Sequence, residues 1–527
     1  MYWADQVAEE AKGRYKDKIK AGKPVVIRDE KTASGRIHVG SLRGAAIHGV
    51  IGEALGEKNI ANEFLWEIND FDVMDGLPGY LDEKTFRPHM GKLLCNVPSP
   101  DGKAKNFAEY FSKEFTEVVE EIGLKPKYYR SSEVYKSGKY NECIRKILDN
   151  AATIRKIYKE VSGADRDPSW LPLSVVCENC GKVGTTKATD WNGETVAYSC
   201  GKYVEWAVGC GHTGRVSPLN GKAKLPWKVE WPSKFVIFDV DIEGGGKDHS
   251  TKGGPRDIAE AISRQVFKRE PPINVPYEWI YVGGKKMSSS KGTGSSAREM
   301  GDLLPPKILR FLLTHREPGK IVDFDPEGDT VPILFDTYDR FAKNYFSGGT
   351  DDFARAFYYS HPKLARADLK ETALPRFSVV SFLAQMPHLD PVKEISRMEE
   401  RKLANIDIEE LNERIECAKR WLKLYAPPDF KFDIQGIMPA DARNLSEIQK
   451  KALKTLLEFI ESKQKLDGQE IHSRLHEMKV ELSIEPRDLF EAIYISILGK
   501  PSGPKAGWFL SVLDRTFLIE RLREASL

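Results

Sequence analysis

The chain has 527 residues, of which 41% are hydrophobic, 30% charged and 10% aromatic. At roughly 150 residues per domain this implies three or four domains, and the aromatic and apolar content excludes a wholly disordered polymer. Lys and Arg number 80 against 78 Asp and Glu, a net charge of +2, so no global basic field exists to bind nucleic acid indiscriminately.

No run approaches the ~20 apolar residues of a membrane span. The opening MYWADQVAEEAKGRYKDKIK lacks the apolar core of a secretory signal. A cytoplasmic protein with no membrane partner is expected.

In chain order, the first ~20 residues read as an amphipathic helix. Pro24 to Ile27 is a short apolar run, expected as a buried parallel strand. The loop RDEKTASGRIHVGS follows, then LRGAAIHGVIGEALGE at helical spacing. EFLWEIND reads as a second strand, completing a βαβ unit. NFAEYFSKEFTEVVEEIG and NECIRKILDNAATIRKIYKEVSG are helical patterns, and a cysteine-bearing, glycine-rich segment follows them. KFVIFDVDIEGGGKDHSTKGG is expected as a buried strand and a glycine-rich loop. RDIAEAISRQVFKRE reads as a helix, YEWIYVGG as a strand and KKMSSSKGTG as a polar loop. Past about residue 300 the periods are helical, with turns at the proline-bearing YAPPDFKFD and GKPSGPKAG.

Two loops suit phosphate. Thr32 to Ser41 lies where a strand hands over to a helix, whose N-terminus favours negative charge. His38 there can donate to an anionic oxygen, and Gly40 leaves room for a flat ring. Lys285 to Ser296 sets lysines around a serine run, suiting a loop that closes over a triphosphate. In an open α/β sheet both loops fall at the carboxyl edge, where ligands bind. Four of the seven cysteines, Cys177, Cys180, Cys200 and Cys210, share one short segment. This clustering points to metal rather than disulfides. Cys177-x-x-Cys180 is a knuckle for tetrahedral zinc. All four cysteines are the favoured ligand set, with His212 an alternative to Cys200.

His38-Val39-Gly40-Ser41 resembles the HIGH signature of class I aminoacyl-tRNA synthetases, and Lys286-Met287-Ser288-Ser289-Ser290 resembles their KMSKS signature. With RDEKTASGRIHVGSLRG, CENCGKVGTT, GCGH and GGKDH, the text from about 15 to 315 is similar to class I lysyl-tRNA synthetases. The resemblance implies a doubly wound, Rossmann-type parallel-sheet catalytic domain. It carries a zinc-bearing insertion and is followed by an α-helical anticodon-binding region. The expected boundaries are 1–80 and 231–297 for the catalytic halves, and 81–230 for the insertion with its zinc part at 171–230. A connector at 298–345 and the tRNA-binding region at 346–527 complete the chain.

The implied activity is ATP-dependent ligation of L-lysine to tRNA(Lys) through lysyl-adenylate, with Mg2+ accompanying ATP and zinc structural. By resemblance His38, Lys286 and Lys291 are catalytic. ATP falls to His38, Gly40, Ser41, Lys286, Met287, Ser288, Ser289 and Ser290. Ser289 stands where the second signature lysine is usual, so Lys291 is read as its substitute. Asp29 and Glu30 offer carboxylates to a cationic substrate. Family members more often carry small residues at those two positions. Thr32, Trp231, Asp248, His249 and Tyr277 match the substrate-binding stretch. KRWLKLYAPPDFKF supplies aromatics that either stack tRNA bases or pack helices. The rival functions are another class I synthetase and a paralogue that forms an adenylate without charging tRNA. Monomer and homodimer both remain open.

Overall fold

The structure is a computed structural model describing residues 1–286, 295–386 and 389–527. The chain forms two compact units, Met1–Asp325 with Thr337–Lys370 and Pro326–Asp336 with Glu371–Leu527.

The first unit opens with helix α1 (Trp3–Arg14), which buries Trp3, Ala4, Ala8 and Ala11 at the spacing of one helix face. Strand β1 (Val25–Thr32) is buried on both faces over its first five residues, as a central parallel strand must be. Helix α2 (Val39–Glu57) crosses back, rich in Gly and Ala where it packs closely. Strand β2 (Asn62–Asn69) then lies parallel to β1, from Val25 opposite Asn62 to Thr32 opposite Asn69. Helix α3 (Phe107–Glu121) is capped by the Asn106 side chain. It leads to β3 (Lys127–Arg130), parallel to β2.

On the other side of β1, Ile242 bridges both Ile27 and Ile273 in parallel. The sheet therefore runs β3, β2, β1, 241–243, 273–277, with the chain turning in opposite directions on the two sides of β1. This is the doubly wound arrangement the sequence implies, and β1 is its switch point.

Two expectations are corrected. KFVIF is not a strand: it closes helix α4 (Trp227–Ile237), and the strand-like segment is 241–243 downstream. A short apolar run is compatible with either element. Here Lys234, which opens that run, is fully buried, and the helix turns it toward Glu30 of β1 and Glu67 of β2. The pattern from Asn141 to Gly163 is two helices, Asn141–Asp149 and Ala151–Ser162, broken at Asn150.

Helix α5 (Pro255–Gln265) covers the second half of the sheet. Strand β4 (Ile280–Val282) pairs antiparallel with Lys285–Lys286 and parallel with Val322–Asp323. The cysteine segment forms its own antiparallel sheet from Thr186–Thr189, Val196–Cys200 and Thr213–Val216.

The second unit is helical. Its long helices are Asn405–Leu424, Glu447–Ser462, Gly468–Glu481 and Pro486–Leu498. Ser446 and Gln449 form a capping box, Asp467 caps the third, and Gly499 ends the fourth in the left-handed region. Trp421 is core rather than a base-stacking platform. It is fully buried, donates to the Pro326 carbonyl at 2.8 Å and packs edge-on against Phe430. Among the described residues no helix is long and apolar enough to cross a membrane.

Candidate functional site

Side chains of β1 alternate between the sheet faces. Asp29 turns toward α2 and Tyr277: a Cβ on Gly44 would stand 2.5 Å from Asp29 Oδ2 and 2.6 Å from the Tyr277 hydroxyl. Only glycine permits that approach. His48, one turn on, has Nδ1 3.1 Å from Asp29 Oδ2, while its Nε2 accepts the Gly244 N–H at 3.0 Å. Arg28, Glu30 and Thr32 point the other way. Thr32 donates to Asp72 Oδ2 at 3.2 Å.

His38 is the N-cap residue of α2, in extended conformation, with Gly40 and Ser41 in the helix's first turn. The two signature segments meet there. The Val39 N–H donates to the Ser295 carbonyl at 3.1 Å, and the Ala297 N–H to the Ile37 carbonyl at 2.8 Å. Residues just past the serine-rich loop are thus pinned to the head of α2. The backbone of Lys286 lies in a two-residue strand against Tyr281. Met287, Ser288, Ser289, Ser290 and Lys291 lie outside the described residues.

At the carboxyl end of β1 is a pocket of about 360 Å³, within the usual range for small-molecule sites. Asp29, Glu30, Thr32, His38, Gly40, Ser41, Trp231, Asp248, His249 and Tyr277 all line it. The sequence thus named residues that folding brings together. The wall carries seven carboxylates, from Asp29, Glu30, Asp72, Glu230, Glu243, Asp248 and Glu278, against one lysine, Lys31. Trp227 and Trp231 stack at 4.7 Å, with His249 edge-on to both, giving an aromatic side to an acidic pocket.

Below lies an ionic network that sequence reasoning missed. Arg28 contacts Glu30, Glu67 and Glu243. Lys234 reaches Glu30 at 2.6 Å and Glu67 at 2.9 Å. Lys224 holds Glu230 at 2.5 Å, and Tyr135 donates to the same carboxylate. The environments diverge. Burial would raise the Glu67 carboxyl, but Lys234 and Arg28 outweigh it and hold it at about 2. Burial pushes the Glu243 carboxyl up to about 7, with Arg28 opposing only in part. The available signal was a charge beside each apolar run: Arg28 in VVIRDE, Glu67 in FLWEIND and Lys234 in KFVIF.

The four predicted cysteines converge, their sulfurs all within 4.8 Å of one another. Cys177 and Cys210 sulfurs are 3.6 Å apart, Cys180 and Cys200 3.7 Å. A tetrahedron of ~2.3 Å zinc–sulfur bonds has edges near 3.8 Å, so the donors fit. The Cys210 thiol is lowered to about 6 by hydrogen bonds from Asn179 and from the His212 backbone. His212 instead sets its ring beside Tyr198.

Comparison with known proteins agrees with this geometry. Residues 1–363 match the family of class I tRNA synthetases (K), and 377–526 match an anticodon binding domain. The chain belongs to the class I tRNA synthetases, and within them to the (K) group. It is 36% identical to a lysine–tRNA ligase of Methanosarcina barkeri, covering 100% of this chain and 98% of that protein. It is 33% identical to one from Methanocaldococcus jannaschii, over 99% of each chain. With one from Archaeoglobus fulgidus it shares 30% identity over 100% of each.

Proposed function

We propose that this chain activates L-lysine with ATP and transfers the lysyl group to tRNA(Lys), releasing AMP and pyrophosphate. The observation that carries the substrate is the pocket wall, with seven carboxylates and one lysine beside the head of α2. Such a wall attracts a cationic side chain and disfavours an anionic one.

A lysine carboxylate oxygen attacks the α-phosphorus of ATP, and the bond to pyrophosphate breaks. The protein's task is to align the reactants and stabilise charge on the transferring group. The N-terminus of α2 presents its dipole to phosphate oxygens, and His38 donates to them. Gly40 leaves the adenine room against the backbone. Lys286, with Lys291 beyond it, neutralises the departing pyrophosphate. The terminal ribose hydroxyl of tRNA then attacks the lysyl carbonyl and AMP leaves. Asp29 and Thr32 position the amino acid, Trp231 and His249 flank it, and Asp248 and Tyr277 complete the pocket. Mg2+ arrives with ATP. Cys177, Cys180, Cys200 and Cys210 hold a structural zinc, which fastens the insertion and leaves no coordination position for water. The helical region reads the anticodon.

The test is charging of total tRNA with a panel of labelled amino acids. Lysine alone should appear on tRNA. His38→Ala and Lys286→Ala should each slow adenylate formation by about 100-fold or more in a folded protein. Charging with another amino acid would overturn the substrate, and wild-type rates in either variant would overturn the catalytic assignment.

A further inference from the structure

Four buried carboxylates, Glu30, Glu67, Glu230 and Glu243, share three cations, Arg28, Lys224 and Lys234. With all seven ionised, one negative charge is left over, and Arg256, a further cation near Glu243, is matched by Glu260. The hydrogen bonds show where it falls. Glu30 is held by Arg28 and Lys234. Glu67 is held by Arg28 and Tyr129 through Oε2, and its Oε1, buried without a hydrogen bond, still has the Lys234 ammonium at 2.9 Å. Glu230 is held by Tyr135 and Lys224. Glu243 is held through one oxygen only: Oε1 accepts from Arg28 at 2.5 Å and from the Trp231 indole N–H at 2.6 Å. Its Oε2 is buried and has no hydrogen-bond partner among the described residues.

A buried carboxylate oxygen without a donor is costly and persists where a ligand completes it. Glu243 is 1% exposed and lines the pocket, followed by Gly244, Gly245 and Gly246, which also line it. Trp231, which fixes Oε1, is itself part of the pocket's aromatic side.

Building on the lysine reading above, we infer that Glu243 is the specificity-determining carboxylate, its Oε2 receiving the ε-ammonium of the substrate. The ammonium supplies the fourth cation of the network. Glu30, whose charge is already shared by Arg28 and Lys234, serves to hold that network. A neutral side chain of the same length would leave the Oε2 vacancy and the excess charge uncompensated.

Titration supplies a readout that a purely structural role would not move. Facing Glu243 are Arg28 and Glu30 from β1, Trp231 from α4 and Arg256 from α5, with His48 and Tyr277 also interacting with its charge, and Glu67 and Lys234 one partner further, through Arg28 and Glu30. Burial pushes Glu243 toward neutrality, up to about 7, whereas Lys234 and Arg28 hold Glu67 low. Below that pH, lysine must first displace its proton.

The experiment uses the full-length enzyme between pH 6 and 8.5. For wild type, the lysine KM should rise up to about tenfold per unit below pH 7, while the ATP KM stays flat. Norleucine, which lacks the ammonium, should inhibit with a Ki that is flat or tightens as pH falls. Glu243→Gln should raise the lysine KM about 30-fold or more, flatten its pH profile and narrow the preference for lysine over norleucine. A folded Glu243→Gln enzyme with the wild-type lysine KM would overturn the inference. So would norleucine inhibition that follows the lysine pH profile in wild type, a comparison that stands even if the variant does not fold. Wild-type charging of a different amino acid would instead overturn the function it builds on.

Discussion

At position 44 the helix and the pocket make opposite demands on one residue. An interior helical glycine costs about 1 kcal/mol relative to alanine, so Gly44→Ala should favour helix α2. The pocket forbids the change, because the new Cβ would stand 2.5 Å from Asp29 Oδ2 and 2.6 Å from the Tyr277 hydroxyl. Both neighbours are ends of side chains and can swing aside, so the fold should survive with its melting temperature within a few degrees of wild type. The displaced atoms line the pocket, so the lysine KM should rise about tenfold while the ATP KM changes little. Steady-state kinetics at fixed ATP reads the split. Equal loss in both constants would place the damage at the head of α2 instead.

Lys234 shows the same conflict at greater stakes. Its ammonium is fully buried within an apolar stretch, between carboxylates from β1, β2 and its own helix. Such a group is tolerated only because the surrounding carboxylates hold it charged, and they raise its pKa against the opposing effect of burial.

Among the elements, the cysteine segment adds a ligand cluster to its apolar contacts through Val183, Ala188, Val196 and Val216. Its strands are four or five residues long, and Gly181 and Gly211 adopt positive φ directly after cysteines of the cluster. Those turns aim four sulfurs at one point, where thiolates without a cation repel one another. The zinc proposed there would supply folding energy to this segment. Chelation should open residues near 170–230 to protease and abolish tRNA charging, with one zinc lost per chain by elemental analysis. A metal-free protein with unchanged protease resistance and full activity would show that the cysteines need no ion. This element was the most legible one in sequence, since a knuckle spacing encodes its own geometry. KFVIF was the least legible, because a short apolar run fits a strand or a helix equally well until its partners are known. The ionic floor was illegible for a related reason. Arg28 and Glu30 read as part of the charged run RDEK and Glu67 and Lys234 as lone charges beside apolar residues, and only the fold of β1, β2 and α4 shows that they meet.

At the scale of the whole chain, chemistry and recognition belong to separate stretches of sequence. The pocket and both signature segments lie in the first unit, and the anticodon binding domain match at 377–526 lies in the second. A net charge of only +2 leaves little long-range attraction for tRNA, so discrimination rests on local contacts with bases. Each base that stacks on a side chain contributes about 1–3 kcal/mol, a factor of about 5 to 150. A tRNA(Lys) transcript with a substituted anticodon should therefore show a tRNA KM raised by that factor. The KM values for lysine and ATP should stay within twofold, because every residue lining the pocket belongs to the first unit. Trp421 is spoken for by Pro326 and Phe430, so Trp421→Phe should cost stability before it costs tRNA discrimination. If the substituted transcript is charged with unchanged KM, the helical unit does not read the anticodon, and selection of tRNA falls to the unit that holds the pocket.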